Sequence, residues 1–188
     1  KIKQLGVWES ELKNAFKEKA SLPVFIALQK TILKHDLRID PFLRLIEANK
    51  RDQEKKEYKD VNSLLDYCDL SANPVGEIVL HIMGYKDEKL INLSNSICSA
   101  LQITNFLQDI VRDKKIGRVY IPSEIMRNHK VSKDMFEEKY QHNDASKKNI
   151  TNLLNEMIHI NRNLYNSGNI LPKLLTKKDR TIIQIFID

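Results

Sequence analysis

Apolar positions recur along this chain every three to four residues, the spacing of one face of an α-helix. Leu5, Trp8, Leu12 and Phe16 make the first such face. Val24, Leu28, Ile32 and Leu33 make the second, behind Pro23, a residue that helices accept in their first turn. Asp40-Pro41 reads as an N-cap with proline at the first helical position, ahead of Phe42, Leu45, Ile46 and a charged run over 50–60. Further helices are expected from Asp60 or Asn62 to about Gly84, from Asp87 to about Asp113, and over 123–128 and 132–140. A long one covers roughly 144–166, with Ile150, Leu153, Leu154, Met157, Ile158, Leu164 and Tyr165 as its inner stripe and Ser167-Gly168 as its end. Residues 116–122 read as a loop or short extended piece, and a last segment starts near Leu171-Pro172. Strand-like alternation is scarce, so the expected fold class is all-α, in one domain over 1–188.

Composition narrows this picture only slightly. The 188 residues are enough for one domain with a real core. Cys68 and Cys98 lie inside apolar helical patterns and read as buried free thiols. No CxxC, HExxH or EF-hand spacing occurs, which argues against a structural zinc or calcium site. There is no run of 18 apolar residues, so no membrane-crossing helix is expected, and no signal peptide is visible. Both ends read as cut: the chain begins at Lys1 within an amphipathic pattern and stops in the apolar TIIQIFID. The net charge of +6 is spread along the length and interleaved with acids, as on a solvated surface. It also suits a phosphorylated ligand or an anionic membrane surface. Nucleic acid rests on charge alone and ranks last.

The segment 102–122, QITNFLQDIVRDKKIGRVYIP, departs from the amphipathic pattern. On a helical wheel with Gln102 at zero, Asn105 falls near about −60°, Asp109 near about −20° and Asp113 near about +20°. Four polar groups therefore share one stripe, while Ile97, Leu101, Ile103, Leu107, Ile110 and Val111 occupy most other directions. A dry core does not hold two ionised carboxylates, so they must face a wet cavity, a cation or a basic partner. Two readings stand at this point. One is a surface stripe with Asp109 paired to Arg112. The other is a hard-metal site, since Mg²⁺ takes one or two carboxylates with water and phosphate oxygens. Lys114, Lys115, Arg118 and the backbone N–H groups around Gly117 would then offer donors to a polyanion.

These residues carry a resemblance. The segment resembles the second aspartate-rich motif of the squalene/phytoene synthase family, Q-x-x-N-x-x-x-D-x-x-x-D followed by G-R-x-Y-x-P. Upstream, DYCDLSANPVGEIVL is similar to the family's Y-C-x-x-V-A-G-x-V-G helix, keeping Tyr67, Cys68, Ala72, Val75 and Gly76. The departures, Ser71-Ala72-Asn73-Pro74 and Gln108 before Asp109, look like the bacterial hydroxysqualene synthases of the hopanoid pathway. The resemblance implies an isoprenoid synthase helical bundle around a deep apolar cavity, whose first aspartate-rich motif would lie upstream of Lys1. Asp36 and Asp40 have the right spacing for that motif, but Asp40 precedes Pro41 and sits at a helix boundary, so they are rejected as a substitute.

It further implies Mg²⁺, replaceable by Mn²⁺, bound by Asp109, Asp113 and Asn105. Gln102, Asn105, Arg118 and Tyr120 would contact diphosphate, and Tyr67 would lie near the reacting carbons. Ala72, Val75 and Gly76 belong to the substrate-facing helix, where a kink at Pro74 would open space and Asn73 would hold the attacking water. Arg51, Asp52 and Gln53 lie near the pocket by family position; His81 reads as core or cavity wall; Trp8 and the methionines read as packing. The implied reaction is ionisation of presqualene diphosphate with water capture, without NADPH. The alternatives are head-to-head condensation of two prenyl diphosphates and an inactive synthase-like assembly factor. An isoprenoid diphosphate is the implied substrate, with a cytoplasmic location against the membrane and sister enzymes of the squalene pathway as partners.

Overall fold

Burial of the apolar faces draws the helices into three connected clusters. The computed structural model describes residues 2–54, 57–136 and 144–187, and among them the chain is helical almost throughout. The helices are α1 (Ile2–Ala15), α2 (Pro23–His35), α3 (Asp40–Glu54), α4 (Val61–Ser71), α5 (Asn73–Ile82), α6 (Glu88–Gln108), α7 (Ile110–Lys115), α8 (Ser123–Asn128), α9 (Asp144–Gly168), α10 (Leu171–Leu174) and α11 (Lys177–Gln184). A 3-10 turn covers Lys133–Phe136; the rest of the helix expected over 132–140 lies outside the described residues. Pairing of extended backbone among the described residues is limited to an isolated bridge between Glu57 and Val119.

Local chemistry sets most boundaries. Pro23 occupies the first turn of α2. Asp60 caps α4 in a full capping box with Ser63, and Asp87 caps α6 by accepting from the Lys89 N–H at 2.7 Å. Asp40 departs from its expected role. It lies within the first turn of α3, and its carboxylate accepts from Arg44 Nε at 2.9 Å instead of capping.

Two helices expected to be continuous are broken. The first break falls at Ala72 (φ −121°, ψ −49°), where Pro74 lacks the N–H that would bond the Leu70 carbonyl. The kink does not open space at Gly76. A Cβ there would lie 2.3 Å from Ser94 Oγ and 2.6 Å from Cys98 Sγ, so the small residue seats α5 directly on α6. The second break is at Asp109 (φ −99°, ψ 8°). Its N–H still bonds the Asn105 carbonyl at 2.9 Å, and its own carbonyl accepts from Asp113 at 2.8 Å. One residue leaves the helical dihedrals while the polar stripe continues past it, a departure that aspartate's weak helix preference makes cheap.

The central core joins α4, α6 and α9 around Leu64, Cys68, Ile103, Leu153 and Met157, all buried. Cys98, by contrast, is only half-buried. The α9 face on α6 is narrower than its sequence stripe. Ile158 turns outward, 38% exposed, one step beyond Met157. The facing positions instead include Asn161, which donates to Thr104 Oγ1 at 2.8 Å. They also include Gly168, where a Cβ would lie 2.5 Å from Ile97 Cγ1 and 2.7 Å from the Leu93 carbonyl oxygen. A second cluster holds α1, α2 and α3 together through Leu12, Phe25, Ile32 and Leu37. A third gathers α10 and α11 with α6 through Leu171, Leu175, Ile183 and Ile97.

One ion network locks the kinked pair. Arg44 on α3 bonds Asp40 on its own helix, the carbonyl and carboxylate of Asp69 on α4, and Glu77 on α5. The Glu77 side chain is only 7% exposed, so its charge depends on Arg44 for compensation.

Candidate active site

The carboxylate pair sits where α6 passes into α7. Gln102 is half-buried, Asn105 exposed, and Asp109 and Asp113 half-buried, so the stripe faces outward from the central core. Asp109 pairs with Arg112 at 3.0 Å, as one reading of the sequence requires. That pair is largely exposed and is worth little, on the order of 0.5 kcal/mol. Asp113 has no ion-pair partner among the described residues. Burial and then the neighbouring Asp109 charge push its carboxyl above the usual carboxylate range, against smaller opposing pulls from Arg112 and Arg118.

The turn after α7 is closed by bonds from the N–H groups of Ile116 and Arg118 to the Asp113 carbonyl, at 3.1 and 2.9 Å. Gly117, at φ 79°, takes the left-handed conformation that lets the turn close so tightly. The turn delivers Arg118 and Tyr120 onto α3 and α4. Arg118 donates through one terminal nitrogen to the Asp52 carbonyl at 3.1 Å and places the other 3.4 Å from the Asp52 carboxylate. Tyr67 donates its hydroxyl to the same carboxylate at 2.7 Å. Burial, reinforced by that bond, keeps the Tyr67 hydroxyl protonated far above ordinary pH.

Aromatic rings close around this point. Tyr120 stacks on Phe106, with ring centroids 3.9 Å apart, and on Tyr58 at 5.7 Å. Tyr67 lies within 6.1 Å of Phe106 and 5.7 Å of Tyr120. Lys114 reaches Asp134 at 3.3 Å, while Lys115 is exposed.

A cavity of about 810 Å³ runs between α1, α2 and α3. Its lining is mostly apolar, including Trp8, Leu12, Phe25, Phe42 and Ile46. Asn49 and Gln53 line it from the last turns of α3, on either side of Asp52 in sequence. Trp8 packs edge-on against Phe25 at 5.6 Å, yet it is 53% exposed and also lines this cavity. Met126 and Met157 are buried as expected.

Not every sequence candidate converges here. Asn73 is buried, its carbonyl accepting from Ser99 Oγ at 2.9 Å and its amide donating to Asp69 at 3.3 Å. Ser99 precedes Asp109 by ten residues, about 15 Å along a helix. Ala72 is buried beside Asn73, Gly76 is packed on α6, and Val75 is 49% exposed. His81 is core, and burial holds its pKa below the usual value. Asp36 and Asp40 pair with Lys86 and Arg44, which agrees with their rejection as a second aspartate pair.

Asp52 is the residue that sequence reasoning undervalued. Its signal is faint: one acid within the charged run that ends α3, set near the pocket only by family position. Among the described residues no group of three or more His, Cys, Asp or Glu side chains is placed to hold a metal. Asp109 and Asp113 supply two carboxylates, with the Asn105 amide one turn before. That set, with Asp113 outside any ion pair among the described residues, suits a hard cation that keeps water and phosphate oxygens in its shell.

The architecture is that of the all-α isoprenoid synthases. The structure matches the crystal structure of a squalene synthase, HpnC, from Alicyclobacillus acidocaldarius with a TM-score of 0.90 at 35% identity, over 97% of this chain and 68% of that one. A dehydrosqualene synthase solved with a ligand shares the fold at a TM-score of 0.81 and 23% identity, over 92% of this chain and 60% of that one. The chain belongs to the squalene/phytoene synthase family, whose model matches residues 1–186. It is 36% identical over 127 residues to a hydroxysqualene synthase of Zymomonas mobilis subsp. mobilis, covering 65% of this chain and 42% of that protein. It is 31% identical over 132 residues to a presqualene diphosphate synthase of Rhodopseudomonas palustris, covering 70% of this chain and 46% of that one. The chain thus spans less than half the length of these two relatives.

Proposed function

We propose that this chain is the part of a prenyl diphosphate enzyme that holds the second aspartate pair, and that the enzyme converts presqualene diphosphate to hydroxysqualene. The observation that carries this reading is the half-buried Asp113, which has no ion-pair partner among the described residues, lies one turn from Asp109 and is followed by Arg118 in the turn after α7. Likeness to the hydroxysqualene synthase and to the HpnC structure supports the choice of reaction.

In this reading Asp109 and Asp113, with Asn105, hold Mg²⁺ or Mn²⁺. The bound ion supplies charge neutralisation for the leaving diphosphate. Arg118 faces the same anion with a planar set of donors suited to phosphate. The carbon–oxygen bond breaks, diphosphate departs with the electron pair, and water adds to the carbocation with loss of a proton. Oxidation state is unchanged overall, so no NADPH is required. Tyr58, Tyr67 and Tyr120 pack on one another beside Asp52, and a ring face turned to developing positive charge would stabilise it by roughly 0.5–2 kcal/mol. The groove between α1, α2 and α3 takes a prenyl chain, with its polar end at Asn49 and Gln53.

The test is product analysis with the full-length enzyme. Presqualene diphosphate with Mg²⁺ is expected to give hydroxysqualene and diphosphate, at equal rates with and without NADPH. Formation of presqualene diphosphate, squalene or phytoene from shorter prenyl diphosphates would instead assign the condensation reaction. Absence of diphosphate release from either substrate would assign a non-enzymatic role.

A further inference from the structure

We propose that Asp52 is a positioning residue of the site: it fixes the Tyr67 hydroxyl and the Arg118 guanidinium in one geometry and restrains Arg118 until an anion arrives. The proposal rests on the reading of Arg118 as a diphosphate contact.

Three elements meet at this side chain. Asp52 ends α3, Tyr67 comes from α4, and Arg118 comes from the turn after α7. One carboxylate oxygen accepts the Tyr67 hydroxyl at 2.7 Å, and the other lies 3.4 Å from Arg118. The Asp52 carbonyl takes the second Arg118 nitrogen at 3.1 Å, so the guanidinium is held by main chain and side chain at once. The Asp52 and Arg118 side chains are 20% and 28% exposed, while Tyr67 behind them is buried. The carboxylate is thus the joint between a buried phenol and a solvent-facing cation.

Two consequences follow from the chemistry. Tyr67 spends its one donor on Asp52, so its oxygen keeps only lone pairs for anything beyond. Arg118 shares its charge with Asp52, which weakens its pull on a free anion while fixing its direction. Misplacing such groups by about an ångström can cost roughly 100-fold in rate.

The experiment uses the full-length enzyme and inorganic diphosphate without metal, read by calorimetry. Wild type is expected to bind it and Arg118→Ala to lose that binding; unchanged binding in Arg118→Ala would defeat the underlying reading of Arg118, independently of Asp52. Asp52→Asn keeps an acceptor for Tyr67 and the main-chain carbonyl for Arg118, and removes only the charge that pairs with the guanidinium. It is expected to bind diphosphate at least as tightly as wild type while turnover falls about tenfold or more. Asp52→Ala and Tyr67→Phe should be non-additive, the double variant staying within about threefold of the worse single. Should Asp52→Asn not fold, Asp52→Glu carries the test: it keeps charge and acceptor one methylene out of place, and should lose turnover with diphosphate binding intact. A folded Asp52→Asn with wild-type turnover, parallel losses of turnover and diphosphate affinity in either variant, or fully multiplicative losses in the double variant would overturn the proposal.

Discussion

Asp113 pays a folding penalty that only a charge partner relieves, because burial and Asp109 both oppose its ionisation. Asp113→Asn removes that repulsion while keeping the shape. It is expected to abolish turnover and yet raise the melting temperature in the absence of metal, where about 1 kcal/mol corresponds to roughly 2–4 °C for a domain of this size. Thermal scans of the two proteins check it; a lower melting temperature for the variant contradicts the electrostatic account. Glu11 shows the opposite case. Its carboxylate accepts from the N–H groups of Ser21 and Leu22 and from the Ser21 hydroxyl, each at 3.0 Å, which pulls its pKa down to about 2. A depressed folded-state value means stability that is full above the unfolded value near 4.5 and lost as pH falls from there toward 2. Glu11→Gln should lose stability at neutral pH and show a shallower acid limb over that window. Equal slopes for the two proteins in denaturant titrations at several pH values would show that the loop bonds do not matter. Glu11 shows why some residues could not be read in advance: it falls beside Leu12 on an amphipathic face, and only the fold brings Ser21 to it.

At the scale of elements, one glycine does more than the sequence declares. Gly168 reads as a helix end, and α9 does end there, but its larger role is the close approach of α9 to α6. Alanine normally favours a helix over glycine by about 1 kcal/mol. Here its Cβ would meet the Leu93 carbonyl and Ile97, and overpacking typically costs about 1–3 kcal/mol. Gly168→Ala is therefore expected to destabilise the protein, measurable as a lower urea midpoint; an unchanged or higher midpoint would mean that α9 can shift without cost. Helix positions were readable because the apolar period and the caps at Asp60 and Asp87 act locally. The breaks were harder. Proline announces the one at Ala72, but nothing local marks Asp109, which keeps its flanking hydrogen bonds and changes only its own dihedrals. The polar stripe survived that break because a single residue displaced from the helix does not carry Asp113 to another side.

At the scale of the whole molecule, the site is assembled from places far apart in sequence. Asp109, Asp113, Arg118 and Tyr120 belong to one stretch that its spacing exposes, and their grouping was legible. The Asp52–Tyr67–Arg118 joint was not, because it depends on how α3 and α4 cross. The packing of α1 and α2 on α3 leaves Trp8, the chain's one tryptophan, on the wall of the apolar groove. Its fluorescence is thus a built-in reporter: a long-chain prenyl diphosphate analogue should shift the emission to shorter wavelength, and Trp8→Phe should abolish the signal. An emission spectrum that saturating analogue leaves unchanged would place the chain elsewhere.

Arg44 gives the molecule a particular response to ionic strength. Two of its carboxylate partners, Asp40 and Asp69, are 58% and 54% exposed and lie within reach of mobile ions, whose screening length is about 8 Å under physiological conditions. Glu77 is shielded from those ions. Salt therefore loosens the outer two contacts and leaves the inner one closed, so α5 stays tied to α3 by the contact that the medium cannot reach while the carboxylate hold of α3 on α4 weakens.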